Sequence, residues 1–586
     1  MTKRTMRAIF QVIVIAVAAM LLVLPQLFRH GIILGSDISF HYLRFYDTYM
    51  QMKTGHFNFI QSLFGFSQSG RIVNALYGSG FAYFAGLILL LVQNWFRFQV
   101  LMGFLCEFFA GMSMLFLMHQ LMVRNWIRTI MALLYMSSFV VDTWVLNQSF
   151  TGWGAVFLPL ALASGVRALR DKQAHFNPLI LGLSISLLFM THLVSTMLAV
   201  VALFLLFGVA LFVTNDKLAL LKNLGVAVAA FALLSSFNLF TFLSVETGNT
   251  LFTPWKNLAM LDATSYLSLG DNGMSAIGLI YSGLFLLQIS VVFTSWRKRT
   301  VQERTLTSVG LLFLVLSSRL VPWDDLAMHF SGIAAFQFPL RLVVVAYVLL
   351  LAGFGLTLEG YLNTQRPDEE TIRALVWTVS LLAVFSAMNQ VDASARYWRT
   401  STPAAAGDNG SILKTKDPAA LRAAFSSPDL VDGLNLVMKA APDYLPVSNH
   451  QAPDSVLGYQ LYAAQVLNNR LPLSKKVTGD SELALSWKTS STKEAQLPVI
   501  VYRHSTVMLN GQAIAVSDIR TSDIGALKVK PRKGQNRVVV GYDLSGLGKG
   551  LIWVQGISWI MLILGMFIAM VRRMKTRRAD SELADE

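Results

Sequence analysis

Thirteen apolar runs, most of them close to twenty residues long, dominate the sequence. About twenty apolar residues, rising 1.5 Å each, cross the ~30 Å hydrocarbon core of a bilayer as one helix. Lipid offers the backbone no hydrogen-bond partner, so runs of this kind fold as helices. They cover roughly 8–28, 77–95, 98–122, 126–145, 152–168, 178–192, 196–214, 222–243, 274–295, 305–320, 339–360, 372–388 and 550–571. Only 14% of the 586 residues are charged, against about 25% in soluble domains. Most of this chain therefore belongs in lipid, and it reads as a polytopic α-helical membrane protein.

Charge orients the chain. The net charge of +15 would suit a nucleic-acid binder if it formed one patch. Instead the cations fall in short loops between apolar runs, as the positive-inside rule expects. Lys3, Arg4 and Arg7 precede the first run, and Arg572, Arg573, Lys575, Arg577 and Arg578 follow the last. Both termini are thus expected in the cytoplasm, which requires an even number of spans. If 77–95 does not cross, the cytoplasmic loops receive Arg124/Arg128, Arg167/Arg170/Lys172, Lys217/Lys222, Arg297/Lys298/Arg299/Arg304 and Arg366/Arg373. The expectation is about twelve spans, with 77–95 as an interfacial helix at the outer face. The first run is long and lacks a small-residue exit, so it resembles an uncleaved start-transfer helix. The lone cysteine, Cys106, excludes an intrachain disulfide and a cysteine-based zinc site.

This topology divides the chain into a transmembrane domain at 1–388, an exported region at 389–549, a final span at 550–571 and a cytoplasmic tail at 572–586. Outer segments fall at 29–76, 142–151, 244–273 and 319–338. Thr400 to Asp429, rich in Ala, Ser, Pro, Asp and Gly, reads as a loose or partly helical linker. From Leu497 the pattern becomes β-like: 499–502, 506–509, an Asn510-Gly511 turn, 513–516 and 537–542. A C-terminal exported β-rich domain is expected.

Asp37 is the leading chemical candidate. In a helix, Asp37, His41 and Arg44 would share one face at i, i+4 and i+7. A carboxylate at a low-dielectric surface can be tuned into a base for a hydroxyl, and nearby cations can hold a phosphate. The competing reading is a solvated interfacial loop. Asp142 ends a span, either as a surface cap or as a second acid or metal ligand facing Asp37. His192 lies where a span meets the outer leaflet and is either helix-satisfied or functional. Arg319 and Arg341 flank the last outer loop, with Asp324, Asp325 and His329 between them. They either grip a lipid phosphate or pair with those acids and with headgroups. Lys475-Lys476 reads as solvated charge. No Walker A, dinucleotide-binding, H-E-x-x-H or G-x-S-x-G pattern occurs, so the chemistry would use an already activated substrate.

Several short motifs fall in one order: Gly35-Ser-Asp37 with Phe40-His41, Ser137-Ser-Phe to Asp142, Phe157-Leu-Pro-Leu160, Thr191-His-Leu-Val-Ser195, Gln337-Phe-Pro-Leu-Arg341 and Asp443-Tyr-Leu-Pro446. Asn510-Gly511 with Val538 to Tyr542 completes the series. Together they resemble the GT-C superfamily of membrane glycosyltransferases. Within it, the chain resembles the bacterial "6-pyruvoyl-tetrahydropterin synthase-related" membrane family, although it has no pterin-synthase zinc triad. Where relatives of that kind carry an acidic residue after Asp142, this chain has Trp153-Gly154.

The resemblance implies a GT-C-like fold in the bacterial cytoplasmic membrane. It implies an inverting glycosyltransferase, with a polyprenyl-phosphate sugar as donor and a cell-envelope glycan or lipid as acceptor. It implies Asp37 as the base and Arg319 or Arg341 as the phosphate ligand; from the residues themselves, His41 and Asp142 join the catalytic candidates and Arg44 the phosphate-binding ones. His192, Asp324, Asp325 and His329 are further candidates. Membrane lipids are the other expected partner, and nucleic acid is not one. A divalent metal stays open as a cofactor. A transporter or scaffold for envelope polymer is the alternative.

Overall fold

The computed structural model describes residues 3–170, 175–252, 255–403, 411–447 and 455–585. Lys172 and part of the 400–429 linker lie outside them. Among the described residues, nine helices are long and apolar enough to cross a membrane. They cover Thr5–Arg29, Trp95–Gln120, Asn125–Asn147, Phe150–Arg170, Leu193–Val213, Lys217–Leu234, Pro339–Gln365, Glu369–Arg399 and Gly546–Arg572. Ser79–Val92, Pro178–Phe189 and Leu279–Thr294 are shorter apolar helices, and Val301–Leu316 has 16 residues. The 12 residues of Pro178–Phe189 rise about 18 Å, well short of a full crossing. A count of twelve therefore needs three helices shorter than a standard span to cross as well.

Polar breaks explain why long apolar runs become shorter helices. The 126–145 run divides at Ser137-Ser138 into Asn125–Met136 and Phe139–Asn147. The 222–243 run divides at Ser235 into Lys217–Leu234 and Ser236–Gly248. Small hydroxyl side chains bond the preceding turn and let the helix bend there; Ser137 Oγ donates to the Leu133 carbonyl at 2.7 Å.

One large apolar cluster unites the bundle. Trp95–Gln120 packs against Phe150–Arg170, the first helix against Glu369–Arg396, and Val301–Leu316 against Val343–Gln365. The final helix, Gly546–Asp585, buries none of its apolar window, as lipid-facing helices do. Within the same apolar cluster, Ile38–Thr54 packs on Ser79–Val92. Thr48 Oγ1 donates to the Ala82 carbonyl at 2.7 Å, and Gly86 admits the threonine because a Cβ there would collide with it.

The C-terminal region is β-rich. Strands Leu473–Val477, Leu483–Thr489, Gly534–Tyr542, Ser505–Leu509 and Gln512–Ala513 lie side by side in that order, all antiparallel. The last two form the hairpin expected at Asn510-Gly511, with φ of 52° and 87°, as a two-residue primed turn requires. The strand expected at 513–516 is cut short, because Val516–Asp518 is a 3-10 turn. Asn536, Val538 and Val540 alternate inward on the central strand. A second sheet joins Arg520–Thr521, Ala526–Val529 and Ala495–Ile500.

This β-rich region and the segment before it dock on the loops at 60–77 and 249–252 through backbone bonds. Ile500 N donates to Ser69 O, Val447 N to Thr250 O and Phe252 N to Leu445 O, each at 2.7 Å. Arg71 is fully buried between the Phe66 and Tyr462 rings and donates to the carbonyls of Ala441, at 2.7 Å, and Asp443.

Candidate functional site

Asp37 is the N-cap of Ile38–Thr54, but its carboxylate makes no capping bond. The chain enters the helix through a tight approach. Gly35 N donates to Gln148 Oε1 at 2.8 Å and Asp37 N to Asn147 O at 3.2 Å. A Cβ at Gly35 would collide with Asn147, so glycine is needed there. The uncapped carboxylate instead meets Lys439, whose Nζ lies 3.6 Å from Oδ1 and donates to Ser36 O at 3.0 Å.

The Asp37 side chain keeps 40% of its surface accessible, whereas that of Lys439 keeps 7%. Even so, burial is the largest influence on Asp37 and raises its carboxyl above the ordinary value; Lys439 and Arg341 pull it down, and Asp443 pushes it up. Both observations fit a carboxylate on the floor of a recess open to solvent.

Tyr77 and Tyr444 line this recess, with ring centroids 6.3 Å apart. Their hydroxyls take no hydrogen bond among the described residues. Burial raises both phenols, so they remain protonated donors. Arg341 Nη1 donates to Phe336 O at 3.0 Å and Nη2 to Gln337 Oε1 at 3.4 Å. Its Nε and remaining N–H groups are uncommitted among the described residues. Two bulky residues beside these groups adopt positive φ: Tyr444 at 62° and Gln337 at 68°. Strain of this kind concentrates where a site dictates the backbone.

His41 and Arg44 lie beneath the recess as support. Arg44 is fully buried and commits Nε to Asn74 Oδ1 (3.0 Å), Nη1 to His41 Nδ1 (3.2 Å) and Nη2 to Tyr77 O (3.1 Å). Its guanidinium also lies 4.7 Å from the Tyr77 ring centre. Burial lowers it to about 10, so it stays charged. His41 stacks on Phe150 at 4.1 Å, and burial, then Arg44, hold it well below the ordinary imidazole value. It is a neutral acceptor for Arg44. His41 Nδ1 and three Arg44 N–H groups are thus spent on holding one another, Asn74 and Tyr77, an arrangement that favours support of the Asp37 surroundings.

The placing of Asp142 opposite Asp37 is corrected: Asp142 is buried within the bundle and interacts with Glu107. His192 caps Leu193–Val213 through Nδ1 and lies at the edge of the recess, 6.4 Å from the Tyr77 ring. A Cβ at Gly154 would collide with Ser195 Oγ and approach His192 Nδ1 at 3.3 Å. No larger side chain fits at Gly154 without displacing Ser195.

The remaining candidates occupy a separate lobe built on Met260, Ala327 and Ala334. Asp324 Oδ1 accepts from Leu261 N at 2.8 Å, and His329 Nδ1 approaches Asp325 O at 2.7 Å. Arg319 is exposed and shares no contact with Asp37 or Arg341 among the described residues. The structure thus separates the two arginines that flank the outer loop. Among the described residues no group of three or more His, Cys, Asp or Glu could hold a metal. Asp37 faces two cations, so its surroundings do not fit a divalent ion. Lys439, Tyr77, Tyr444 and Arg71 were not singled out from sequence, and only the Asp443-Tyr-Leu-Pro446 motif pointed near them.

No family model matches the chain, and no curated protein does. Among solved structures it is similar to the mycobacterial arabinofuranosyltransferase AftD. Identity is 15% and the TM-score 0.37, over 68% of this chain and 29% of that one. It is also similar to the Archaeoglobus fulgidus oligosaccharyltransferase in its apo form. Identity there is 13% and the TM-score 0.40, over 75% of this chain and 61% of that one. The chain spans less than two thirds of the length of either.

Proposed function

We propose that this protein is a membrane glycosyltransferase of GT-C type. It moves a sugar from a polyprenyl-phosphate donor to a cell-envelope acceptor at the outer face of the bacterial cytoplasmic membrane. One observation carries the reading: an accessible carboxylate, Asp37, faces Arg341 and Lys439 in a recess beside an apolar helical bundle. A lipid donor would keep its chain along the bundle and present its phosphate to Arg341. A charge-assisted contact from a planar guanidinium suits a phosphate.

Transfer is a single displacement. The acceptor oxygen bonds to the anomeric carbon while the bond from that carbon to the phosphate oxygen breaks. The phosphate leaves with the electron pair, and its charge is met by Arg341 and the Tyr77 and Tyr444 hydroxyls. The acceptor proton passes to Asp37, and the anomeric centre inverts. Lys439 keeps Asp37 ionised before the step. The test is transfer by purified protein from a panel of polyprenyl-phosphate sugars to envelope acceptors. Activity in wild type and its loss in Asp37→Asn are the expected results. No transfer from any donor would leave the transport or scaffold reading.

The transport reading draws on a different pair. Glu107 and Asp142 meet inside the bundle and share a side-chain hydrogen bond, and both Glu107 oxygens and Asp142 Oδ1 are buried with no other partner among the described residues. Ionisable groups within membrane helices are a common mark of proton or ion movement.

A further inference from the structure

Behind Lys439, away from the recess, lies a pocket of about 430 Å³. It is enclosed by Ile38–Thr54, the loop at 64–68 and the exported-domain segments around 431–439 and 462–467. Its volume falls within the ~300–1,000 Å³ range of small-ligand sites. Lys439 belongs to both spaces: its side chain lines the pocket, and its Nζ reaches Asp37.

The walls specify a ligand class. Phe64 and Tyr46 contribute aromatic surface, while Phe66 and Tyr462 are buried behind them against Arg71. Tyr46, Ser67 and Asn435 also line the pocket, and their hydroxyls and amide make no hydrogen bond among the described residues. Lys439 is its one cation, already engaged by Ser36 O and Asp37, and no carboxylate lines it. A phosphate would call for more positive charge, and a lipid chain for walls without hydroxyls and amides. A ring with an apolar C–H face and a rim of hydroxyls matches this mixture of aromatic planes and small hydrogen-bonding groups.

The loop that forms one wall is held in an uncommon shape. Phe66, Ser67 and Gln68 have φ of 50°, 57° and 49°, a left-handed stretch that side chains resist. Two buried groups impose it. Asp47 Oδ1 accepts from the amides of Leu63 (2.8 Å), Phe64 (2.7 Å) and Gly65 (3.1 Å). Lys475 Nζ donates to the carbonyls of Ser67 (2.6 Å), Gln68 (3.1 Å) and Pro498 (3.0 Å). Lys475, expected as solvated charge, instead ties the exported sheet to this loop. Backbone strain maintained from both sides of a pocket wall points to binding.

We infer that this pocket is a saccharide subsite. It holds a neutral sugar of the acceptor on the far side of Lys439 from the donor recess, so that the next hydroxyl along the acceptor reaches Asp37. The inference rests on the glycosyl-transfer reading for its role, but saccharide binding can be measured by itself.

The experiment uses the full-length protein in lipid nanodiscs. Saturation-transfer NMR is run with disaccharides of neutral hexoses and N-acetylhexosamines, on wild type and on the Ser67→Ala/Asn435→Ala double variant. Neither side chain bonds elsewhere among the described residues, so thermal unfolding of the variant should match wild type. Saturable binding by wild type, weakened at least tenfold in the variant, is the expected result. Absence of saturable binding to every disaccharide, or equal binding by the variant, overturns the subsite. In parallel, binding of a polyprenyl-phosphate sugar is compared between wild type and Arg341→Ala. Donor binding that depends on Arg341 while disaccharides fail to bind would overturn the pocket alone. Disaccharide binding without any donor binding would support the pocket and count against the transfer reading.

Discussion

Lys439 Nζ lies 3.6 Å from Asp37 Oδ1 although the two residues are 402 positions apart in the chain. Lys439 lies on a strand just before the β-rich region, and Asp37 caps the helix that follows the first apolar helix. Their contact means that the carboxylate is tuned by a segment distant in sequence that packs into the same apolar cluster as the bundle. Arg71 strengthens the same junction from the other side, through Ala441 and Asp443. The recess is therefore an interface, and its chemistry depends on docking.

Asp37→Asn should retain folding and membrane insertion and lose transfer. Asparagine keeps the size and accepts hydrogen bonds, but it cannot take the acceptor proton at neutral pH. Loss of a general base costs about 10²–10⁴ in rate. Turnover measured on a donor accepted by wild type decides it, and full activity in the variant would remove Asp37 from the base role.

Arg341→Ala should weaken donor use, and Arg319→Ala should not. A charge-assisted hydrogen bond is worth about 1.5–3 kcal/mol, or about 10- to 150-fold in affinity. Arg341 faces the recess with donors to spare, while Arg319 is exposed on the lobe. The ratio kcat/KM at limiting donor separates them. Equal loss in both variants would mean that the lobe closes over the donor.

Arg71→Met should loosen the domain junction. Its methylene stem can be replaced, but two carbonyls lose a buried donor, at about 1–3 kcal/mol each. The measurement is thermal unfolding in detergent together with limited proteolysis of 389–549. An unchanged melting curve and cleavage pattern would show that the junction does not depend on this residue.

Nine of the expected spans were legible as long apolar helices among the described residues because lipid enforces a simple rule of length and apolarity, and the Asn510-Gly511 hairpin because a primed turn needs those residues. Asp37 stood out as an acid soon after the first span. Its partners did not, since Lys439 and Tyr444 reach it only through tertiary docking and no local periodicity reports that. His41 and Arg44 were placed together correctly by helical spacing, but spacing does not say which side of the helix is solvent. The contact between Asp142 and Glu107 was not legible because the two lie on different helices. Lys475 looked like surface charge because its three carbonyl partners come from other parts of the chain.

The orientation expected from the basic loops can be checked directly. A reporter fused after Arg297 should label as cytoplasmic, and one inserted at Lys530 as external. Opposite labelling at both points would put the recess on the cytoplasmic side and rule out an extracytoplasmic acceptor.

Lys439→Met should move the acid limb of the pH–rate profile to higher pH. The Asp37 carboxyl is raised by burial, and Lys439 is the largest influence pulling it back down. Removing that cation lets the carboxyl rise further. Only the ionised form can take a proton, so activity falls as pH drops through the Asp37 titration, and in the variant it falls sooner. Lys439→Arg preserves the charge and should keep the limb near its wild-type position. The profile of kcat/KM reports the free enzyme, so the comparison needs no assumption about bound substrate. A uniform fall in rate with an unmoved limb would instead assign Lys439 to docking through Ser36, with no electrostatic hold on Asp37.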